Sequence, residues 1–321
     1  MIKAGIIGAA GYTGGEVLRL LLRHPQVELV FAQSISNAGH KVSQVHTDLY
    51  GDTDIEFCEQ ADVAGCDVVF LCGGHGSAQA TIDSFHAEYD GRIIDLGNDF
   101  RLKANAGDFV YGLTDCFKDR IVKARHIANP GCFATAIQLA LLPLAVKDLL
   151  GEIHVTALTG ATGAGQKLQE STAFNWRDNN ISVYKAFTHQ HLGEISETLS
   201  SLAPSWEGNI NFVPIRGDFP RGIFASVYLD CPLEENETVN LYNNYYSDSP
   251  FVSVCDFNPD LKMVTGTNKA LLYPRKYGSK LHIISCLDNL IKGAAGQAVE
   301  NMNLMFGLPQ DCGLKLKGCK F

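Results

Sequence analysis

The sequence lacks any run of basic residues, any C-x-x-C pair and any apolar stretch long enough to span a bilayer. Each absence removes a class of function. Without a basic cluster, and with a formal net charge of -9 across 321 residues, no general nucleic-acid binder is expected. The longest apolar segment, near residues 136 to 146, is interrupted by Gln138 and Pro143, so no membrane partner is expected either. The ten cysteines are scattered, which suggests neither a disulfide framework nor a zinc site. The opening residues enter a strand pattern at once and leave no room for a signal peptide, so a reduced cytoplasm is the expected compartment. What remains is an ordinary soluble composition, 46% hydrophobic and 19% charged, long enough for two domains.

The first of these is read as residues 1–128, a Rossmann-type nucleotide platform. A strand at Lys3–Ile7 runs into Gly8-Ala9-Ala10-Gly11-Tyr12-Thr13-Gly14-Gly15 and then a helical apolar pattern. Strand, glycine turn and helix are the order a dinucleotide site needs, with pyrophosphate on the helix N-terminus. The candidate cofactor residues are therefore Gly8, Gly11, Tyr12, Thr13 and Gly14. After a second strand at Val27–Ala32, the acidic side chain usual in an NAD site is missing. Ser34, Ser36 and Asn37 stand there instead, with Lys41 within reach of a 2′-phosphate, which favours NADP. Buried parallel strands follow at Asp67–Cys72 and Arg92–Leu96. Behind the first sits His75, a loop residue or a cofactor neighbour. Behind the second comes Arg101, suited to a phosphate or carboxylate, or to a surface salt bridge with Asp99 or Asp108.

The second domain, residues 129–285, opens on Asn129-Pro130-Gly131-Cys132 before an apolar helix unbroken until Pro143. Asn129 is read as the cap and Pro130 as preset for the first turn. Cys132 then meets unsatisfied amides and a positive dipole end, which favour a nucleophilic thiolate. A strand at Ile153–Leu158 leads into the small-residue run Thr159–Gln166, which permits close approach by a ligand. His189 and His191, just before another helix, supply the acid/base that a Cys nucleophile needs, and which one faces the thiol stays open. No third ligand of suitable spacing follows them, so no metal is expected. Arg216 and Arg221 suggest an anion-binding lip. Residues 286–321 are read as a helix returning to the nucleotide domain.

Taken together, Gly8–Gly14, Asp99–Leu102, Asn129–Cys132, Gly160–Gly165, His189-Gln190-His191 with Glu194, and Asp288–Leu290 with Lys292–Gln297 resemble the N-acetyl-γ-glutamyl-phosphate reductase family over nearly the whole chain. The resemblance implies an α/β fold, Rossmann-type domain plus α+β catalytic domain, like semialdehyde and glyceraldehyde-3-phosphate dehydrogenases. It also implies Cys132 as nucleophile and the His189/His191 pair as acid/base. NADPH is implied as hydride donor, held by the first glycine loop, the Gly163 region and Asn289. The implied partner is a small acyl-phosphate substrate, with Asn129, Arg101, Arg216 and Arg221 as candidate contacts, in a homodimer or homotetramer. The chain departs from the family pattern at Phe133, Ala134 and Gly193, and its Arg216–Arg221 loop is longer than usual. That extra charge raises an N-succinyl substrate as an alternative to N-acetyl. Aspartyl or aminoadipyl phosphate, or an unreactive nicotinamide sensor, are the other readings.

Overall fold

The computed structural model describes residues 1–74, 76–85 and 89–319, so His75 lies outside the described residues. Two compact units emerge: Met1–Pro130 with Ala294–Lys315, and Gly131–Gly293 with the described tail from Leu316.

In the first unit the strands are β1 (Ile2–Ile7), β2 (Val27–Gln33), β3 (Phe57–Cys58), β4 (Val68–Leu71), β5 (Arg92–Asp95), β6 (Val110–Tyr111) and β7 (His126–Ala128). They form one sheet in the order β3-β2-β1-β4-β5-β7-β6. Every pairing is parallel. All four residues of β4 are buried, as a central parallel strand requires. Helices α1 (Tyr12–Leu22), α2 (Val42–Val45), α3 (Ala78–Asp83) and α4 (Thr114–Ile121) connect the strands. The strand order reverses between β1 and β4, the switch point where α/β sheets hold ligands. Chain segment Gly296–Met305 completes this unit as a helix buried along its whole length against α1, α4 and β5.

The second unit begins with α5 (Cys132–Val146), buried from Phe133 to Ala145. Its sheet contains β8 (Ile153–Thr159), β9 (Ser182–Val183), β10 (Ile210–Arg216), β11 (Ile223–Asp230), β12 (Val252–Val254), β13 (Ala270–Tyr277) and β14 (Lys280–Leu287), ordered β12-β13-β14-β11-β8-β10-β9. Parallel and antiparallel pairings mix, giving the α+β character. Strand β8 alternates buried and open side chains, and α5 packs on β11 and β14. Helices α6 (Phe174–Arg177), α7 (His191–Leu202) and α8 (Glu235–Tyr245) complete it.

Two expectations need correction. The returning segment was expected from residue 286, yet Cys286–Gly293 stays with the second unit. Strand β14 runs on to Leu287, and the Asp288 carboxylate accepts N–H groups from Gly266, Leu290 and Ile291. Helix α5 also passes through Pro143 and continues to Val146. Proline removes the N–H that would reach the Leu139 carbonyl. The Tyr246 hydroxyl donates to that carbonyl instead, and Tyr242 donates to Ala140 beside it. Both tyrosines come from α8 and the residue that ends it.

Candidate active site

The glycine turn of the first unit is built around backbone contact. Gly8 has φ +79, and a Cβ on it would lie 2.8 Å from the Cys72 carbonyl carbon at the end of β4. A Cβ on Gly14 would meet the Gly8 oxygen at 2.5 Å and Ala9 Cα at 2.7 Å. Side chains are thus excluded at both positions, leaving a bare cradle. Gly11 is the N-cap of α1 and no side chain caps the helix, so no capping side chain competes for its first-turn amides. Tyr12 and Thr13 form that first turn. His46, which sequence reading missed, donates from Nε2 to the Ala9 carbonyl at 2.9 Å and so pins the loop. Nothing local signals it, because the contact spans 37 residues.

Past β2, Ser34 is buried and Ser36 exposed, with hydroxyls 3.5 Å apart. The Asn37 amide donates to both. This neutral cluster fits a phosphorylated ribose better than an acidic residue would. Lys41, by contrast, is engaged with Asp54 at 2.7 Å.

Arg101 is neither a rim cation nor a surface ion pair. It is buried, with Nε on the Asn129 carbonyl at 2.9 Å and Nη2 on the Leu96 carbonyl at 3.0 Å. Burial raises the neighbouring Asp95 carboxyl to about 6, against the opposing pull of the Gly97 N–H and the Arg101 charge. Asn129 is likewise not the helix cap. Its side chain donates to the Ala294 carbonyl at 3.1 Å and accepts from Asn301 at 3.1 Å, which fixes the chain leading to the thiol. Gly131 is the N-cap.

In the second unit Cys132 is the first residue of α5 and is partly exposed. Glu194, buried on α7, accepts the Gly131 N–H at 2.9 Å, the task a capping-box carboxylate performs. Its other oxygen stands 3.9 Å from His191 Nε2. The backbone N–H of His191 donates to His189 Nδ1 at 3.2 Å. An accepting Nδ1 leaves the proton of a neutral His189 on Nε2. Burial, then the charge of Lys185, push His189 down to about 4, with Glu194 opposing and Arg216 adding. The ring is therefore neutral near pH 7. It lies edge-on to Phe133 at 5.5 Å, to Tyr184 at 5.7 Å and to His191 at 4.6 Å.

Tyr184 also went unrecognised in the sequence. The Arg216 guanidinium lies 4.6 Å over its ring, and burial holds its phenol above the ordinary range, with the Arg216 charge opposing and the Cys132 charge adding to the rise. Thiol, His189, Tyr184 and Arg216 thus converge. Gly293 closes the site from below: a Cβ there would sit 2.8 Å from Cys132 Cβ. Beside it Lys292 is fully buried, its ammonium 5.8 Å over the Phe251 ring.

Arg221 is committed elsewhere, with Nε and Nη2 each 3.2 Å from the buried Asp288 carboxylate. Asn289 accepts from the Gly222 N–H at 2.7 Å and donates to Thr162 at 3.1 Å. It therefore ties the 220 loop to the turn carrying Gly163, whose Cα faces Thr159 and the Arg216 side chain. Among the described residues no group of three or more His, Cys, Asp or Glu side chains is placed to hold a metal. No helix among them is long and apolar enough to cross a membrane.

Curated proteins resemble the chain from end to end. N-acetyl-gamma-glutamyl-phosphate reductase of Azobacteroides pseudotrichonymphae is 54% identical over 100% of both chains. The chain belongs to the N-acetyl-gamma-glutamyl-phosphate reductase family. Proteins of that name from Phocaeicola vulgatus and Bacteroides thetaiotaomicron are each 51% identical, again over 100% of both chains. The family models described as semialdehyde dehydrogenase NAD binding domain and dimerisation domain match residues 3–124 and 132–289. Among solved structures, aspartate semialdehyde dehydrogenase II of Vibrio cholerae, complexed with ASA, superposes with TM-score 0.77 at 17% identity, covering 96% of this chain and 98% of that one. Aspartate semialdehyde dehydrogenase with NADP from Candida albicans gives 0.71 at 17%, covering 95% and 98%. These two share the fold.

Proposed function

We propose that this chain reduces N-acetyl-γ-glutamyl phosphate to N-acetylglutamate 5-semialdehyde and phosphate, with NADPH, in arginine biosynthesis in the cytoplasm. The single observation that carries the reading is a partly exposed thiol at the first residue of a buried helix, whose charge and that of Arg216 both act on Tyr184, the ring that lies edge-on to the neutral His189. Gly8, Gly11, Tyr12, Thr13 and Gly14 would hold the pyrophosphate of the cofactor and Ser34 and Ser36 its phosphorylated ribose, with Gly163 and Asn289 as further cofactor candidates. Bound NADPH supplies the hydride.

The rest is the work of side chains. Cys132 sulfur attacks the acyl carbon, the carbon–oxygen bond to phosphate breaks, and the electron pair leaves with phosphate. His189 donates a hydrogen bond from Nε2 to the carbonyl oxygen as negative charge develops there, a role open to it because it stays neutral. His191, held by Glu194, exchanges the proton when the semialdehyde forms and Cys132 departs as thiolate. Arg216 is the arginine we assign to phosphate or the substrate carboxylate; Arg101, Asn129 and Arg221, the other candidates, also make contacts that hold the framework. Arg221, one of the two charges that suggested an N-succinyl substrate, pairs with Asp288. Kinetics on N-acetyl and N-succinyl glutamate semialdehyde, run side by side, separate the acyl groups. The active form is a homodimer or homotetramer.

The test is Cys132→Ser. Phosphate-dependent reduction of NADP by the semialdehyde should fall by at least about a thousandfold, since an unactivated hydroxyl cannot replace the thiolate. Iodoacetamide should label Cys132 ahead of the other nine cysteines. Full turnover in the serine variant would end the proposal.

A further inference from the structure

We propose that Asp54 competes with the 2′-phosphate of NADPH for Lys41, so that this chain discriminates only weakly between NADPH and NADH. The inference rests on the cofactor reading above and adds the pair of residues that sets its selectivity.

The stretch that would meet the 2′ position is poor in cations. Lys41 is the only lysine or arginine between Arg23 and Arg92, while residues 34–59 carry Asp48, Asp52, Asp54, Glu56 and Glu59. The chain after Ser34 folds back along β3, the edge of its sheet. The Ser34 N–H donates to the Cys58 carbonyl at 3.0 Å, the Gly39 N–H donates to that of Phe57 at 2.8 Å, and Lys41 pairs with Glu56 in an antiparallel bridge. Lys41 therefore stands two residues along that strand from the Ser34 contact, about 7 Å, a span its four-carbon stem covers. Its ammonium lies instead 2.7 Å from Asp54 Oδ1, and the Asp54 side chain is almost wholly in water.

The hydroxyls of Ser34 and Ser36 do not tell the two cofactors apart. Both accept from the Asn37 amide, at 3.3 and 3.0 Å, which leaves hydroxyl protons for an oxygen of the ligand. A ribose hydroxyl and a phosphate each supply such an oxygen. Only a cation distinguishes the charge of the phosphate, and Lys41 is already matched by Asp54, with Glu56 adding to the negative field. An exposed ion pair is weak, so phosphate can displace Asp54, but exchanging one anion for another leaves little net gain.

Isothermal titration calorimetry with NADP+, NAD+ and the fragment adenosine 2′,5′-bisphosphate tests this on the full chain and on its Asp54→Asn, Lys41→Ala and Asp52→Asn variants. Asp52 is the control, an acid of the same stretch that faces Arg23 at 3.3 Å. The parent should bind NADP+ no more than about tenfold tighter than NAD+. Asp54→Asn should widen that ratio at least about fivefold and tighten the fragment equally, Lys41→Ala should bring the ratio to about one, and Asp52→Asn should match the parent. Initial rates with NADPH and NADH should follow the same order. A larger parental preference, a ratio that Asp54→Asn or Lys41→Ala leaves unmoved, or an equal rise in Asp52→Asn overturns the inference and spares the cofactor reading. A parent that binds neither dinucleotide overturns the cofactor reading, and the inference with it.

Discussion

Gly293→Ala is the sharpest perturbation the site offers. Its new methyl would lie 2.8 Å from Cys132 Cβ, 3.2 Å from Cys132 Cα and 3.2 Å from the Asp288 carbonyl oxygen. Carbon atoms rest at about 3.5 to 4.0 Å, so a separation of roughly 0.7 to 1.2 Å has to be found. None of the three atoms is the tip of a flexible side chain. Cys132 is anchored by the buried α5 behind it, and Asp288 by three backbone N–H groups and Arg221. The thiol itself must therefore move. Overpacking of this kind costs about 1 to 3 kcal/mol of stability, and a displacement near 1 Å at a reacting atom costs up to about a hundredfold in rate. Steady-state kcat/KM, the iodoacetamide rate at Cys132 and the thermal midpoint should all fall. Gly151→Ala is the control, because nothing lies within 4 Å of a Cβ there. If Gly293→Ala keeps parental kcat/KM and labelling rate while Gly151→Ala behaves identically, the contact plays no part in placing the sulfur.

Replacing Glu194 by alanine leaves the buried Gly131 N–H without its carboxylate, so urea denaturation should show a loss of about 1 to 3 kcal/mol. Tyr246→Phe should cost a similar amount by orphaning the Leu139 carbonyl beside Pro143, and an unchanged midpoint would dismiss that account. For His189 the folded value, about 4, lies below the ordinary one, so the unfolded chain binds the proton first as pH falls. Its contribution is present above about 6.5 and is lost as pH drops toward about 4. Over that window His189→Gln should lose stability less steeply than the parent, and parallel curves would refute the neutral assignment.

Local pattern carried the sequence reading wherever the decisive contact is near in the chain. The strand, bare glycine turn and helix at Gly8–Gly14 were legible because side chains there collide with their own loop and the adjoining strand end. The placement of Cys132 at a helix mouth was legible too. Misjudgements arose where a distant residue had already claimed the group. Asn129 looked like a cap, but Asn301 and Ala294 take its amide. Arg101 and Arg221 looked like free cations, but backbone carbonyls hold one and a buried carboxylate the other. Pro143 looked like a stop until Tyr246, 107 residues from its partner carbonyl, supplied the missing donor. Tyr184 and His46 carry no local signature at all.

The nucleotide-binding unit is interrupted in sequence: its last helix, Gly296–Met305, arrives only after the whole of the other unit has been made. That helix contributes His24–Asn303, Thr114–Glu300 and Gly112–Asn301 hydrogen bonds to the interior of the first unit. A ribosome therefore releases the opening 130 residues with an uncovered flank, and they wait, for most of translation, for the segment that seals them. Shortening the chain at its carboxyl end would damage the part synthesised first.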